Sequence, residues 1–172
     1  APYTGTGTYT VTAGTYSYTV TDANGCSSST TITVTQLSLL TVAVAVNSNV
    51  SCNGGNNGTA TASATGGTGT YSYSWNTNPF QTTATATNLT AGTYTVTITD
   101  GNNCVAIATA TITEPTVLAV SSSLTTAVAC NGGNATVTVT ASGGTTPYTG
   151  TGTFTVVAGT YTYNISDANG CT

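Results

Sequence analysis

The chain has 172 residues with no Lys, Arg, His or Met and only four carboxylates, Asp22, Asp100, Glu114 and Asp167, so its net charge is -4. Without cations it cannot neutralise phosphates or bind an anionic lipid surface through a basic patch, which excludes nucleic acid as a partner and that mode of membrane attachment; no apolar run approaches the length of a bilayer span. Thr, Val and Tyr suit half-buried pleated strands, Gly and Asn supply turns, and no stretch has helix-forming character, so the expected fold is all-β.

Read along the chain, residues 1–36 hold the later strands of a repeating unit: GTYSYTVT, a DANGC turn, and a closing Thr/Ser-rich strand. Residues 37–115 form the complete unit, with about six predicted strands: LSLLTVAVAV, NGTATASATGG, YSYSWN, ATATNL, GTYTVTITD and CVAIATATITEP. Asn-Gly, Gly-Gly or Asp-Gly signals separate them. In GTYTVTITD, Tyr94, Val96 and Ile98 alternate with Thr93, Thr95, Thr97 and Thr99, which places the apolar residues on one face. Residues 116–172 form a shorter unit that stops just after its DANGC turn, before a closing strand.

Self-comparison supports these divisions. Residues 1–27 match residues 146–172 at 19 of 27 positions without a gap, at an offset of 145 residues. AGTYTVTITDGNNC at 91–104 is a third copy of the same hairpin, and CNGGN recurs at 52–56 and 130–134, 78 residues apart. From Cys to Cys the complete unit spans 52 residues and the shorter one 41, the difference falling mostly between the Gly-Gly turn and AGTY. Gly150 and Gly152 then stand where Tyr73 and Trp75 stand in the complete copy. A thinner core with a shortened strand or loop is expected there. The cut ends imply a longer parent chain, or a missing strand donated by a neighbouring copy.

Two features point to Ig-like sandwich modules. Trp75 closes the expected strand C, where such folds bury a Trp, and Leu89–Tyr94 resembles a tyrosine corner that Tyr16 and Tyr161 repeat. Trp75, Tyr94, Tyr16 and Tyr161 are the expected core aromatics. With SCNGGNNGTATASATGGTGTYSYSWN (51–76), NLTAGTYTVTITDGNNC (88–104) and TITEP (111–115), the chain resembles the SprB-type tandem repeat of Bacteroidota gliding-motility and cell-surface adhesins. The resemblance implies an extracellular, cell-surface location and export by the type IX system; the expected architecture is all-β, with tandem Ig-like β-sandwich modules in a rod or fibre. The short last unit departs from the pattern by lacking the Trp.

The five cysteines, at 26, 52, 104, 130 and 171, suit disulfides in an oxidising compartment better than a metal site, since there is no His and no CxxC. Pairing within units gives Cys52–Cys104 and Cys130–Cys171 and leaves Cys26 for a partner outside the chain. Pairing across the constant 26-residue spacing gives Cys26–Cys52 and Cys104–Cys130 and leaves Cys171. The first is preferred, although Ig topology sets the two turns of one unit at opposite ends.

Little chemistry is available. There is no His or Lys to act as base or nucleophile, and Asp22, Asp100 and Asp167 are equivalent positions in successive units, too far apart to work as a pair. No catalytic residue, cofactor or metal is expected. One Asp per turn is too few for calcium, so DANG and DGNN read as turns in which Asp and Asn bond their own backbone. The expected role is a structural stalk or fibre giving length and mechanical strength, with neighbouring modules of the same or identical chains as partners. Direct polysaccharide binding is the alternative, and ice binding by Thr rows such as 83–87 and 136–140 a lesser one.

Overall fold

The computed structural model describes residues 2–172, leaving Ala1 of the first predicted unit outside; among these residues all regular structure is β. The central segment carries six strands: β3 (Thr41–Ser48), β4 (Gly58–Thr65), β5 (Ser72–Trp75), β6 (Thr85–Leu89), β7 (Gly92–Thr99) and β8 (Val105–Ile112). They make two three-stranded antiparallel sheets, ordered β3-β4-β6 and β5-β7-β8. Both sheets contribute to one core: Ala60, Ala62, Ala86 and Leu89 from the first, and Trp75, Val96, Ile98, Ala110 and Ile112 from the second. Ala60 and Ala62 of β4 share this core with Trp75, so small side chains of one sheet are packed in the same interior as the largest of the other.

The alternation on β7 sets this core. Val96 and Ile98 are fully buried and Tyr94 is half-buried, while Thr93 points outward. Trp75 is 0 % exposed, and its indole Nε1–H donates to the Thr83 carbonyl at 3.0 Å. The polar edge of the ring is therefore satisfied inside an apolar site.

The flanking segments form strands only where partners stand beside them. Before the central sheets, β1 (Gly14–Thr21) and β2 (Ser27–Val34) pair as a hairpin, with a single bridge from Thr4 to Thr21. After them come β9 (Ala119–Thr126), β10 (Ala135–Ser142) and β11 (Gly152–Val156), in the order β11-β10-β9. Val156 lies opposite Ala135 as Leu89 lies opposite Gly58, so β11 is the counterpart of β6. The counterpart of β5 has shrunk to one bridge, Thr149 to Ser166. This matches the shortening expected around Gly150 and Gly152: the chain turns directly from that bridge into β11, without a segment like 76–84.

The thinner last segment leaves one expected core residue outside. Tyr161 is 45 % exposed, because residues 159–166 have no continuous strand on either side to complete a second sheet over the ring. Tyr163 and Ile165 turn inward instead, with Tyr163 tilted against Phe154 at a centroid distance of 4.6 Å.

Candidate functional site at the cysteine-bearing turns

Each CNGG motif folds into the same tight turn. The Gly55 N–H donates to the Cys52 carbonyl at 2.9 Å, and the Gly133 N–H to the Cys130 carbonyl at 2.9 Å. Around Cys52 the end of β8 closes over the turn. The Val50 N–H donates to the Thr113 carbonyl, the Gly54 N–H to Glu114 Oε2 at 2.6 Å, and Asn53 Nδ2 to the Pro115 carbonyl at 3.0 Å. The chain therefore leaves the central sheets at the CNGG end.

The D-x-N-x-C turns are shaped by their aspartates. Asp100 Oδ1 accepts from the N–H groups of Asn102 and Cys104 at 2.9 and 2.8 Å, and Asp167 Oδ1 accepts from Asn169 and Cys171 at 2.9 and 2.9 Å. Asp22 does the same for Asn24 and Cys26 at 2.9 and 2.8 Å. Asn103 takes a φ of 63° where Gly25 and Gly170 take 85° and 79°, a left-handed conformation that Asn tolerates better than most residues.

The second carboxylate oxygen does what the sequence reading missed. Asp100 Oδ2 accepts from the Thr68 N–H at 2.9 Å and Asp167 Oδ2 from the Thr145 N–H at 2.8 Å, tying each cysteine turn to a Gly-Gly turn. Each Gly-Gly turn in turn holds the incoming chain, through Gly67 N–H to the Ser38 carbonyl and Gly144 N–H to the Thr116 carbonyl. Both aspartates are buried, at 5 % and 4 % exposure, and no cation faces them. The backbone N–H of Thr68, with those of Cys104 and Asn102, outweighs burial and holds the Asp100 carboxyl below its ordinary value. For Asp167, burial is the largest influence and pushes upward, but the N–H groups of Thr145, Cys171 and Asn169 together overcome it and hold the carboxyl low.

The disulfide follows neither arrangement read from spacing. Cys52 is bonded to Cys171, with Cα atoms 5.7 Å apart and 119 residues between them in sequence, while Cys26, Cys104 and Cys130 are free and exposed. The preferred Cys52–Cys104 and Cys130–Cys171 pairs are not formed, and neither are the pairs across the 26-residue spacing. The reason is topological. Cys52 and Cys104 lie at opposite ends of β8, an eight-residue strand roughly 25 Å long. The Cys171 turn lies next to the Cys52 turn because the chain enters the last segment there. Asn169 Nδ2 donates to the Ser51 carbonyl at 2.8 Å beside the bond.

The three tyrosine corners share one geometry. The hydroxyl of Tyr16 donates to the Thr12 carbonyl at 2.9 Å, that of Tyr94 to Thr90 at 3.1 Å and that of Tyr161 to Val157 at 3.1 Å. Among the described residues no three His, Cys, Asp or Glu side chains gather as metal ligands would, and no helix is long and apolar enough to cross a membrane.

Residues 44–80 match the family model of the SprB repeat. The match runs from Val44 in β3 through the CNGG turn and β4 to Trp75 and Phe80. It therefore includes one partner of the disulfide and the largest core side chain. SprB repeats are structural rather than enzymatic, and they occur in cell-surface proteins. A search among curated proteins finds no match to the chain.

Proposed function

We propose that this chain is a stalk segment of a secreted cell-surface adhesin, built of Ig-like sandwich modules in series: the later part of one over residues 1–36, a complete one over 37–115 and a shorter one, lacking its last strand, over 116–172. The modules give length and mechanical strength rather than a binding site. The strand order β3-β4-β6 facing β5-β7-β8, which fits an Ig-like sandwich lacking its fourth edge strand, supports this reading, and so do the three tyrosine corners. The observation that carries the reading is the Cys52–Cys171 bond, which fastens the central segment to the one that follows it. A bond between modules serves a series of modules; one within a module would serve only that module. Its persistence requires an oxidising compartment, in keeping with the SprB match at 44–80. Export by the type IX system and a part in gliding belong to the same proposal.

Small-angle scattering and negative-stain imaging of the full chain test it, together with a glycan array. The stalk reading expects an elongated particle and no glycan retained. A compact particle would refute it, and selective glycan binding would replace it with direct polysaccharide adhesion.

A further inference from the structure

We propose that the Cys52–Cys171 bond is one rung of a repeating ladder. In it, the CNGG cysteine of each module bonds the D-x-N-x-C cysteine of the module that follows, and Cys26, Cys104 and Cys130 are half-rungs whose partners are neighbouring modules. In the chain as it stands, the available partner is a second copy: Cys130 of one copy bonds Cys26 or Cys104 of the next. This goes beyond the stalk reading and is independent of what the fibre attaches to.

Both halves of the missing rungs are already formed. The Cys130 turn has the hydrogen bond of the Cys52 turn, Gly133 N–H to the Cys130 carbonyl at 2.9 Å, against Gly55 N–H to the Cys52 carbonyl at 2.9 Å. The Cys26 and Cys104 turns have the aspartate clasp of the Cys171 turn. Asn24 and Asn102 stand where Asn169 stands, and Asn169 reaches across the formed junction to Ser51. All three thiols are exposed.

The Cys130 end is also open where the Cys52 end is filled. A cleft of about 600 Å³ is lined by Val128, Ala129, Cys130, Asn131, Gly133 and Val157. At the matching place around Cys52 lie Thr113, Glu114, Pro115 and the Cys171 turn, and Val50, the counterpart of Val128, is buried.

The repeat arithmetic agrees. The offset of 145 residues that superposes the last copy on the first carries Cys130 to a position 119 residues ahead of Cys104, which is the separation of Cys52 and Cys171. The contact joins two different surfaces and is therefore heterologous, so copies of one chain joined through it make a ring where the rotation closes and an open filament where it does not. Each rung forms when two thiols give up two protons and two electrons to a disulfide oxidant, which leaves as two thiols.

The test is oxidation of the full chain by oxidised glutathione, followed by denaturing non-reducing electrophoresis and disulfide mapping with chymotrypsin or pepsin, since trypsin has no site in a chain without Lys or Arg. The expected result is a series of disulfide-linked multiples in which Cys130 is joined to Cys26 or Cys104 and Cys52 remains joined to Cys171. Cys130→Ser is expected to cut the linked species at least tenfold while keeping the Cys52–Cys171 peptide, which reports that the variant folds. A chain that stays monomeric under oxidant, linked species that survive Cys130→Ser, or Cys130 found joined to Cys130 or to Cys171 would each overturn the ladder.

Discussion

Gly67 lies so close to Asp100 that a Cβ placed on it would meet Asp100 Oδ2 at 2.5 Å. Gly144 and Asp167 repeat the relationship at 2.7 Å, with φ of 60° and 56° at the two glycines. The left-handed backbone alone costs an L-residue about 1–2 kcal/mol, and at Gly67 the clash with the clasping carboxylate adds to it. Gly67→Ala is therefore expected to lower the thermal midpoint of the full chain clearly more than Gly54→Ala, whose φ is 75° but whose Cβ would meet nothing within 4 Å. Equal effects in differential scanning calorimetry would mean that the approach to Asp100 is unimportant.

The two buried aspartates predict acid sensitivity. Their folded pKa values lie below the ordinary 3.8, so the stability they contribute is complete above that value. It declines as pH falls below it and is gone once pH has passed through the folded pKa values. Asp100→Asn keeps an acceptor for Asn102 and Cys104 but turns a donor toward the Thr68 N–H. The variant should be less stable than the parent at neutral pH, with a flatter loss of stability below pH 4. Urea melts at a series of pH values measure both slopes; parallel slopes in parent and variant would contradict the prediction.

Trp75 is the sole Trp of the chain and is fully buried, so its fluorescence reports the central core alone. Trp75→Ala empties the largest site between the sheets and frees the Thr83 carbonyl, and it should cost roughly 3–5 kcal/mol. In the parent chain the emission should be that of a shielded indole and shift to the red in one step on unfolding. An emission already typical of a solvated indole in the native state would place the ring elsewhere.

Reducing the Cys52–Cys171 bond opens a 119-residue loop, and the chain-entropy description assigns such a closure up to about 5 kcal/mol. Addition of a phosphine reductant, or the Cys52→Ser variant, should lower the melting transition of the last segment more than that of the Trp75 core. The last segment has only three strands and an incomplete second sheet, whereas the central one has six. Calorimetry on oxidised and reduced chain, read beside Trp75 emission, separates the two transitions.

Much of the fold could be read from residue order because its signals are local. Alternation in GTYTVTITD places Val96 and Ile98 inside, and a Tyr four residues beyond Thr12, Thr90 and Val157 can bond back to those carbonyls within a single bend of the chain. The reduced strand at Gly150 and Gly152 was visible because glycine removes the side chains that Tyr73 and Trp75 supply to a core. The partner of Cys52 was not readable. Spacing gives distance along a chain, whereas the choice between Cys104 and Cys171 depends on which end of the sheets the chain leaves and how the next segment meets it. The Asp100 bond to Thr68 escaped for the same reason, since it joins turns 32 residues apart. Tyr161 misled because its motif is intact while the strands that would cover it are not.

The crosslink also decides where a pull on the ends would travel. Tension entering at Thr172 reaches Cys171 and passes through sulfur to Cys52, skipping the backbone between two positions 119 apart. The Trp75 core, both Gly-Gly turns and the whole of β4 to β11 lie inside that closed loop, so their unravelling would add no contour length between the two ends.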